Sequence, residues 1–205
     1  MKKLDLLRII QESFDSAVEW SRSDTGNNYS NSLKSSLFVS NLGKKLFEQL
    51  NDKTLSLNAI TVTDKGKKIT GEWLLDIAIT EDTQDGFKNR ILWAIESESN
   101  CSKKAFYHDF AKLFHINSEN YLYLNGLKQK TKKGRDNYIK NRINKAEKLI
   151  GMSNKKFWFA FWASPCKSAE IESIWNSVNQ NEKFFHLKYI HLFYLNNGKF
   201  IEVST

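Results

Sequence analysis

The segment 157–163, Phe-Trp-Phe-Ala-Phe-Trp-Ala, is an unbroken apolar run that constrains the fold more than any other part of the sequence. Its length suits a β-strand, and the lack of alternation with polar residues is typical of a central strand that is covered on both faces. Stacking of nucleic-acid bases on these rings is the weaker interpretation, because unbroken apolarity fits burial better. We therefore expect a sheet with helices packed on both sides.

Two amphipathic helices are predicted before the first strand. Apolar residues at spacings of three and four indicate one helix that ends near Trp20 and another over residues 35–50. Residues 21–32, between them, are rich in Ser, Asn, Asp and Gly and predict a loop.

Strands and helices then alternate. Residues 59–63, a turn at 64–67 and residues 68–80 predict a β-hairpin rich in β-branched residues, and a third strand is predicted at 90–98. The later elements are a helix capped by Ser102, a strand at 121–124, a basic helix around 138–150, the strand at 157–163, a helix at 168–178 and terminal strands. This order favours an α/β fold with a mixed central sheet flanked by helices.

Length and composition favour one globular unit. A chain of 205 residues with 40% hydrophobic content can bury one core, so we expect a single domain over residues 1–205. No segment approaches the roughly 20 apolar residues of a membrane span. Cys101 and Cys166 lack the spacing of a zinc site or of a disulfide framework. We expect a soluble, cytoplasmic protein with free thiols and no membrane partner.

The positive charge is concentrated in one segment. The chain carries a formal net charge of +8, and the residues from Lys128 to Lys148 include nine basic and two acidic side chains, a net +7. Such runs are often solvated helix faces, but a basic segment also suits a polyanion. Nucleic acid is the expected partner, and the residues expected to contact it are Lys128, Lys130, Lys132, Lys133, Arg135, Lys140 and Arg142.

Three carboxylates are predicted at the ends of adjacent strands. Asp76 stands among apolar residues, where an unpaired carboxylate is costly. Glu96 and Glu98 follow the apolar run 91–95, and the period of two along a strand turns both to one face. If the two strands are neighbours, the three acids converge into an oxygen-rich environment that suits Mg²⁺ or Mn²⁺.

This pattern resembles the PD-(D/E)XK, or restriction-endonuclease-like, nuclease superfamily over about residues 35–125. The resemblance implies a core of order αβββαβ, with residues 1–34 as a helical extension and residues 126–205 as a basic segment and sheet-completing part. It also implies that Asp76 and Glu96 bind the metal. Leu75 replaces the signature proline, and Glu98 stands where lysine is commonest, as in the E-x-E version of some type II restriction endonucleases.

The resemblance leaves two roles to be filled. Lys103 and Lys104, near the start of the following helix, could supply the displaced positive charge, and Glu48 is the best match for the acid that some members carry on the helix before the sheet. Glu98 would orient or deprotonate the attacking water.

The expected function is Mg²⁺- or Mn²⁺-dependent hydrolysis of phosphodiester bonds, with DNA favoured over RNA as substrate and no organic cofactor. A homodimer is left open. One alternative is an inactive nucleic-acid-binding or assembly protein of the same fold. Another is a glycoside hydrolase, which also uses two carboxylates but gives no reason for the basic segment.

Overall fold

The computed structural model describes residues 5–23, 29–59, 61–62, 68–69, 74–82, 88–167, 169–176 and 188–203. The helices in these residues are α1 (Leu6–Arg22), α2 (Asn31–Leu50), α3 (Lys103–His115), α4 (Lys132–Ile150) and α5 (Ala169–Asn176). The strands are β1 (Leu55–Ala59), β2 (Thr61–Val62), β3 (Lys68–Ile69), β4 (Ile77–Asp82), β5 (Lys88–Glu98), β6 (Ser118–Leu127), β7 (Lys156–Ala163), β8 (His191–Asn196) and β9 (Lys199–Glu202).

The main sheet is mixed, as predicted. Its strand order is β1, β4, β5, β6, β7, β8, β9, and the separate pair β2 and β3 forms a short second sheet. β4 is antiparallel to both of its neighbours, β1 and β5. β5, β6 and β7 are parallel, and β8 is antiparallel to both β7 and β9. Helix α3 connects β5 to β6, and α4 connects β6 to β7, as parallel neighbours require.

Apolar side chains cover both faces of the sheet. One cluster joins α1, α2 and α5 to the sheet, and the other joins α3 and α4 to its opposite face. Along β7 the rings alternate between the two clusters: Trp162 meets Phe14 of α1, and Phe159 meets Phe110 of α3. All four side chains are fully buried. The prediction that residues 157–163 form a central strand is confirmed.

The predicted hairpin of residues 59–63 with 68–80 is confirmed only for 61–62 with 68–69, and its pairing of residues 77–80 is wrong. β4 begins only at Ile77 and pairs with β1, with Leu57 opposite Ile79, while the ladder between β2 and β3 has two residue pairs. Ile79 is fully buried between two neighbouring strands, so β4 lies inside the sheet and takes its partner from the more distant segment. The predicted turn at 64–67 lies outside the described residues.

Two helices begin earlier than predicted because polar residues cap them. The Ser30 side chain accepts a hydrogen bond from the Leu33 amide and starts α2, within the predicted loop. The Thr131 side chain accepts one from the Gly134 amide and starts α4. The Ser102 cap of α3 is as predicted.

Gly126 allows the ends of the parallel strands to approach closely. A Cβ atom at this position would lie 2.6 Å from the Cβ of Ser164 and 3.1 Å from the Cα of Ser99. We expect Gly126→Ala to lower the free energy of unfolding by about 1–3 kcal/mol, because the crowded strand ends must shift. Chemical denaturation measures this loss. Gly134→Ala, where the nearest atom is the Thr131 hydroxyl at 3.1 Å, is the control and should cost less. Equal stability of the two variants would contradict the prediction.

Candidate active site at the carboxyl ends of the parallel strands

The candidate site lies where the parallel strands β5, β6 and β7 end. Glu98 at the end of β5 is in register with Asn125 of β6, and Leu127 of β6 is in register with Ala163 of β7. Ligands of α/β proteins commonly bind at this edge, because the loops that leave the strands diverge there.

Asp76 and Glu96 meet at this edge from antiparallel neighbours. Ile77 of β4 is opposite Ile95 of β5, so the next position of the ladder places Asp76, just before β4, opposite Glu96. The Asp76 carboxylate accepts a hydrogen bond of 2.8 Å from the backbone amide of Ser97. The strand that follows Asp76 and the strand that carries Glu96 are therefore neighbours, as predicted.

Glu96 is a buried carboxyl group held by a lysine. Its side chain is 3% exposed, and Lys112 Nζ of α3 lies 3.3 and 3.4 Å from its two carboxyl oxygens. Burial, followed by repulsion from Asp76, raises the pKa of Glu96 from 4.5 to about 8, although Lys112 acts in the opposite direction. Near neutral pH the fold therefore holds an acid that tends to keep its proton.

Glu98 faces a fourth acid, Asp109 of α3. Burial, followed by a hydrogen bond to Asp109, raises the pKa of Glu98 from 4.5 to about 7. Burial would raise the pKa of Asp109 too, but hydrogen bonds from Glu98 and from two basic side chains lower it below its ordinary value. A proton is thus held on Glu98, while Asp109 is ionised and lies 3.1 Å from Lys112 Nζ.

The three predicted acids do not converge on one point. Asp76 points to the Ser97 amide, Glu96 to Lys112, and Glu98 to Asp109 and the Asn100 amide. Within the described ranges, His, Cys, Asp and Glu side chains form no group of three or more that could hold a metal ion as arranged. The donor chemistry of Asp76 and Glu96 nevertheless suits a divalent ion, since two crowded carboxylates with hard oxygens are what Mg²⁺ stabilises.

Lys112 and Asp109 were missed by the sequence reasoning. The predicted lysine, Lys103, is exposed in the first turn of α3 and lies near Lys145. Lys112 lies more than two turns further along α3, next to Glu96. A signal was available, because residues 109 and 112 flank the buried positions 106, 110 and 113 of the same helix and so share its inner side.

Glu48 is not part of the site. It is exposed near the end of α2, whereas Ser36 of the same helix lines a pocket together with Asp76. Glu48 lies twelve positions after Ser36, which is about 18 Å along the helix. It therefore points to solvent far from the other acids. The sequence-based assignment of Glu48 is wrong.

The basic segment begins beside the pocket that contains Asp76 and continues along helix α4. Lys128 follows β6 and lines the pocket beside Asp76, and Lys130, Lys132 and Lys133 are exposed shortly after it. Lys132 also pairs with Asp136 at 2.7 Å. The Arg135 guanidinium lies 4.7 Å over the ring of Tyr189. Lys140 is exposed near the middle of α4, beside β8.

Arg142 is a structural residue rather than a surface contact. It is 3% exposed, and its Nη2 donates to the backbone carbonyls of Cys101 at 2.7 Å and Ser102 at 3.0 Å. Its guanidinium also lies over the rings of Phe106 and Tyr138. These contacts fix the loop between β5 and α3, so Arg142 is removed from the expected nucleic-acid contacts.

No protein-family model matches the sequence, and no curated protein matches it significantly. In the described part of the chain, no helix has the length and apolar character needed to cross a bilayer.

The raised pKa of Glu96 predicts a pH-dependent stability without divalent ions. The folded protein favours the protonated form of Glu96. The contribution of Glu96 to the free energy of unfolding is therefore complete below about pH 4.5, the pKa of Glu96 in the unfolded chain, and is lost as the pH rises through about 8, its pKa in the folded protein. Glu96→Gln is neutral throughout and lacks this loss. We expect the unfolding free energy of wild type minus that of Glu96→Gln to fall by a few kcal/mol between about pH 5 and about pH 9.

Denaturation of both proteins in EDTA across this pH range measures the difference. Groups common to both proteins, including Glu98, largely cancel in the subtraction. Curves that stay parallel from about pH 5 to about pH 9 would contradict the raised pKa.

Proposed function

We propose that this protein is a divalent-metal-dependent nuclease that acts in the cytoplasm, with Asp76 and Glu96 as its metal-binding pair. The observation that carries the proposal is the meeting of these two acids on adjacent strands, with Glu96 buried against Lys112. The high pKa of Glu96 means that its buried surroundings destabilise the ionised carboxylate. Such strongly shifted pKa values are found more often at functional sites than elsewhere in a protein.

The order of elements supports the same proposal. Apart from the short strands β2 and β3, the chain order is helix α2, the antiparallel strands β1, β4 and β5, helix α3 and the parallel strand β6, which agrees with the αβββαβ order that the resemblance implies. The lysine on α3 supplies the positive charge that the Glu98 position lacks.

The residues divide the chemistry of phosphodiester hydrolysis. Bound between Asp76 and Glu96, a divalent ion would polarise the scissile phosphate and activate water. Burial raises the pKa of Glu96. Burial alone would lower the pKa of Lys112, but the neighbouring acids Glu96 and Asp109 raise it above its ordinary value. Lys112 therefore remains a cation that can face a phosphate. Glu98, with a pKa near 7, can take or return a proton near neutral pH.

The direct test is incubation of the protein with plasmid, linear and single-stranded DNA and with RNA, in Mg²⁺, Mn²⁺ or EDTA. The proposal requires cleavage that depends on the divalent ion, with DNA favoured over RNA. Absence of cleavage of every substrate in both metals would leave an inactive nucleic-acid-binding protein of the same fold as the better interpretation.

The exposed lysines beside the site predict where the phosphate backbone binds. Lys133→Glu should weaken DNA binding about fivefold and reduce the slope of log affinity against log salt by about one, because counterion release is lost with the contact. Fluorescence anisotropy at several salt concentrations measures both.

Lys148→Glu is the matched control for charge reversal. Lys148 is also exposed on α4, but it lies fifteen residues after Lys133, about 22 Å along the helix. We expect its salt slope to match that of wild type. Equal effects of the two reversals would mean that the charge acts only through the overall field.

A further inference from the structure

A polar pocket adjoins the candidate metal-binding pair. Its volume is about 340 Å³, which is in the range of sites that hold a small ligand. Asp76 forms one side of it, and Lys128 brings a positive charge. Ser36, which is 5% exposed, belongs to the α2 side of the pocket. The other polar side chains around it are Asn31, Ser32, Ser35, Ser97 and Ser99.

The chemistry of this lining suits a sugar and a phosphate better than a base. Hydroxyl groups and Lys128 can donate hydrogen bonds to phosphate and sugar oxygens. No aromatic side chain from the described part of the chain lines the pocket, so it offers no ring on which a base could stack. Recognition here would depend little on which base is present.

The size of the pocket limits what can enter it. A volume of about 340 Å³ can enclose one nucleotide but not a base pair with both backbones. Extruding a nucleotide from a duplex costs a few kcal/mol, and this cost disappears when the strand is already single. A pocket that receives one nucleotide therefore selects single-stranded regions.

We infer that this pocket receives one whole nucleotide next to the scissile bond and holds it through its sugar and phosphate, so that the substrate is a single strand or a single-stranded end. The inference rests on the proposed nuclease function, because it takes Asp76 as the neighbour of the scissile phosphate. It adds a substrate class that the acids alone do not define.

The test measures binding in EDTA, so that it does not depend on cleavage. Fluorescein-labelled strands of about 20 nucleotides are used, because a duplex of this length is stable. Oligothymidylate, oligoadenylate and an abasic strand of equal length are compared by anisotropy with the duplex of the first two. We expect the single strands to bind at least about tenfold more tightly than the duplex and to differ from one another by less than about threefold.

Two variants examine the pocket itself. Ser35→Leu fills it from a half-buried helix position where leucine is a good helix former, and it should weaken single-strand binding about tenfold. Ser16→Leu, on α1 outside the pocket, is the matched control and should bind like wild type. Lys128→Ala provides a second variant if Ser35→Leu fails to fold by circular dichroism, and it should also lose the preference for single strands.

The outcomes separate the two proposals. Binding of duplex as tightly as single strand, or unchanged binding by folded Ser35→Leu and by Lys128→Ala, would overturn the inference and leave the nuclease proposal standing. The expected binding pattern in EDTA without any cleavage in Mg²⁺ or Mn²⁺ would support a single-strand pocket and refute the nuclease.

Discussion

Asp76→Asn is expected to reduce metal-dependent cleavage by about a thousandfold or more while leaving nucleic-acid binding intact. The substitution removes a charged metal ligand but keeps the size of the side chain and an oxygen that can accept the Ser97 amide. It also removes a charge that repels Glu96 and the phosphate. In EDTA, the variant should therefore bind oligonucleotide at least as tightly as wild type and melt at an equal or higher temperature.

Asp82→Asn is the matched control for this substitution. Asp82 ends the same strand β4 that Asp76 precedes, and its carboxylate contacts Ser56 and Thr80 away from the candidate site. We expect this variant to cleave at close to the wild-type rate. Cleavage by Asp76→Asn at the wild-type rate, measured over time with Mg²⁺ and with Mn²⁺, would remove Asp76 from the site.

The parts of the fold that could be predicted are those specified by local patterns. The apolar run at 157–163 required a strand covered on both faces, and it forms one. The apolar segments after Asp76 and before Glu96 predicted two strands, and these strands pair with Ile77 opposite Ile95. The caps at Ser30 and Thr131 are also local features, since serine and threonine are favoured at helix N-termini.

The parts that could not be predicted depend on pairing between distant segments. β1 pairs with β4 across the segment that contains β2 and β3, and no local spacing distinguishes this from pairing with the nearer run. The direction of each acid also depends on its partner. Glu98 and Glu96 share a strand face, as predicted, but their partners on α3, Asp109 and Lys112, are not specified by the pattern of the strand.

Charge alone was a poor guide to the surface. Arg142 contributes to the +7 of the basic segment, yet its charge is buried against Phe106 and two backbone carbonyls. Glu48 is the single acid on α2 and is exposed far from the others. In both positions, the packing of the helix decides the role, and the sequence gives only the charge.

Lys112→Met is expected to reduce cleavage about a hundredfold at neutral pH, through loss of the positive charge next to Glu96. Methionine fills a similar volume but cannot neutralise the buried acids. Without Lys112, the pKa of Glu96 should rise further above its wild-type value of about 8, so the protonated acid would bind a divalent ion poorly. The loss should therefore shrink at higher pH and at higher Mg²⁺ concentration.

Lys112→Arg and Lys103→Met complete the experiment. Arginine keeps the charge and should restore part of the activity and the wild-type pH profile, which a merely structural lysine would not require. Lys103→Met removes the lysine that the sequence suggested, and it should leave the rate and its pH dependence unchanged, because Lys103 is exposed near Lys145 rather than near Glu96. If Lys103→Met loses activity and Lys112→Met keeps it, the positive charge of the site comes from the first turn of α3. Lys112 would then serve only to compensate the burial of Glu96.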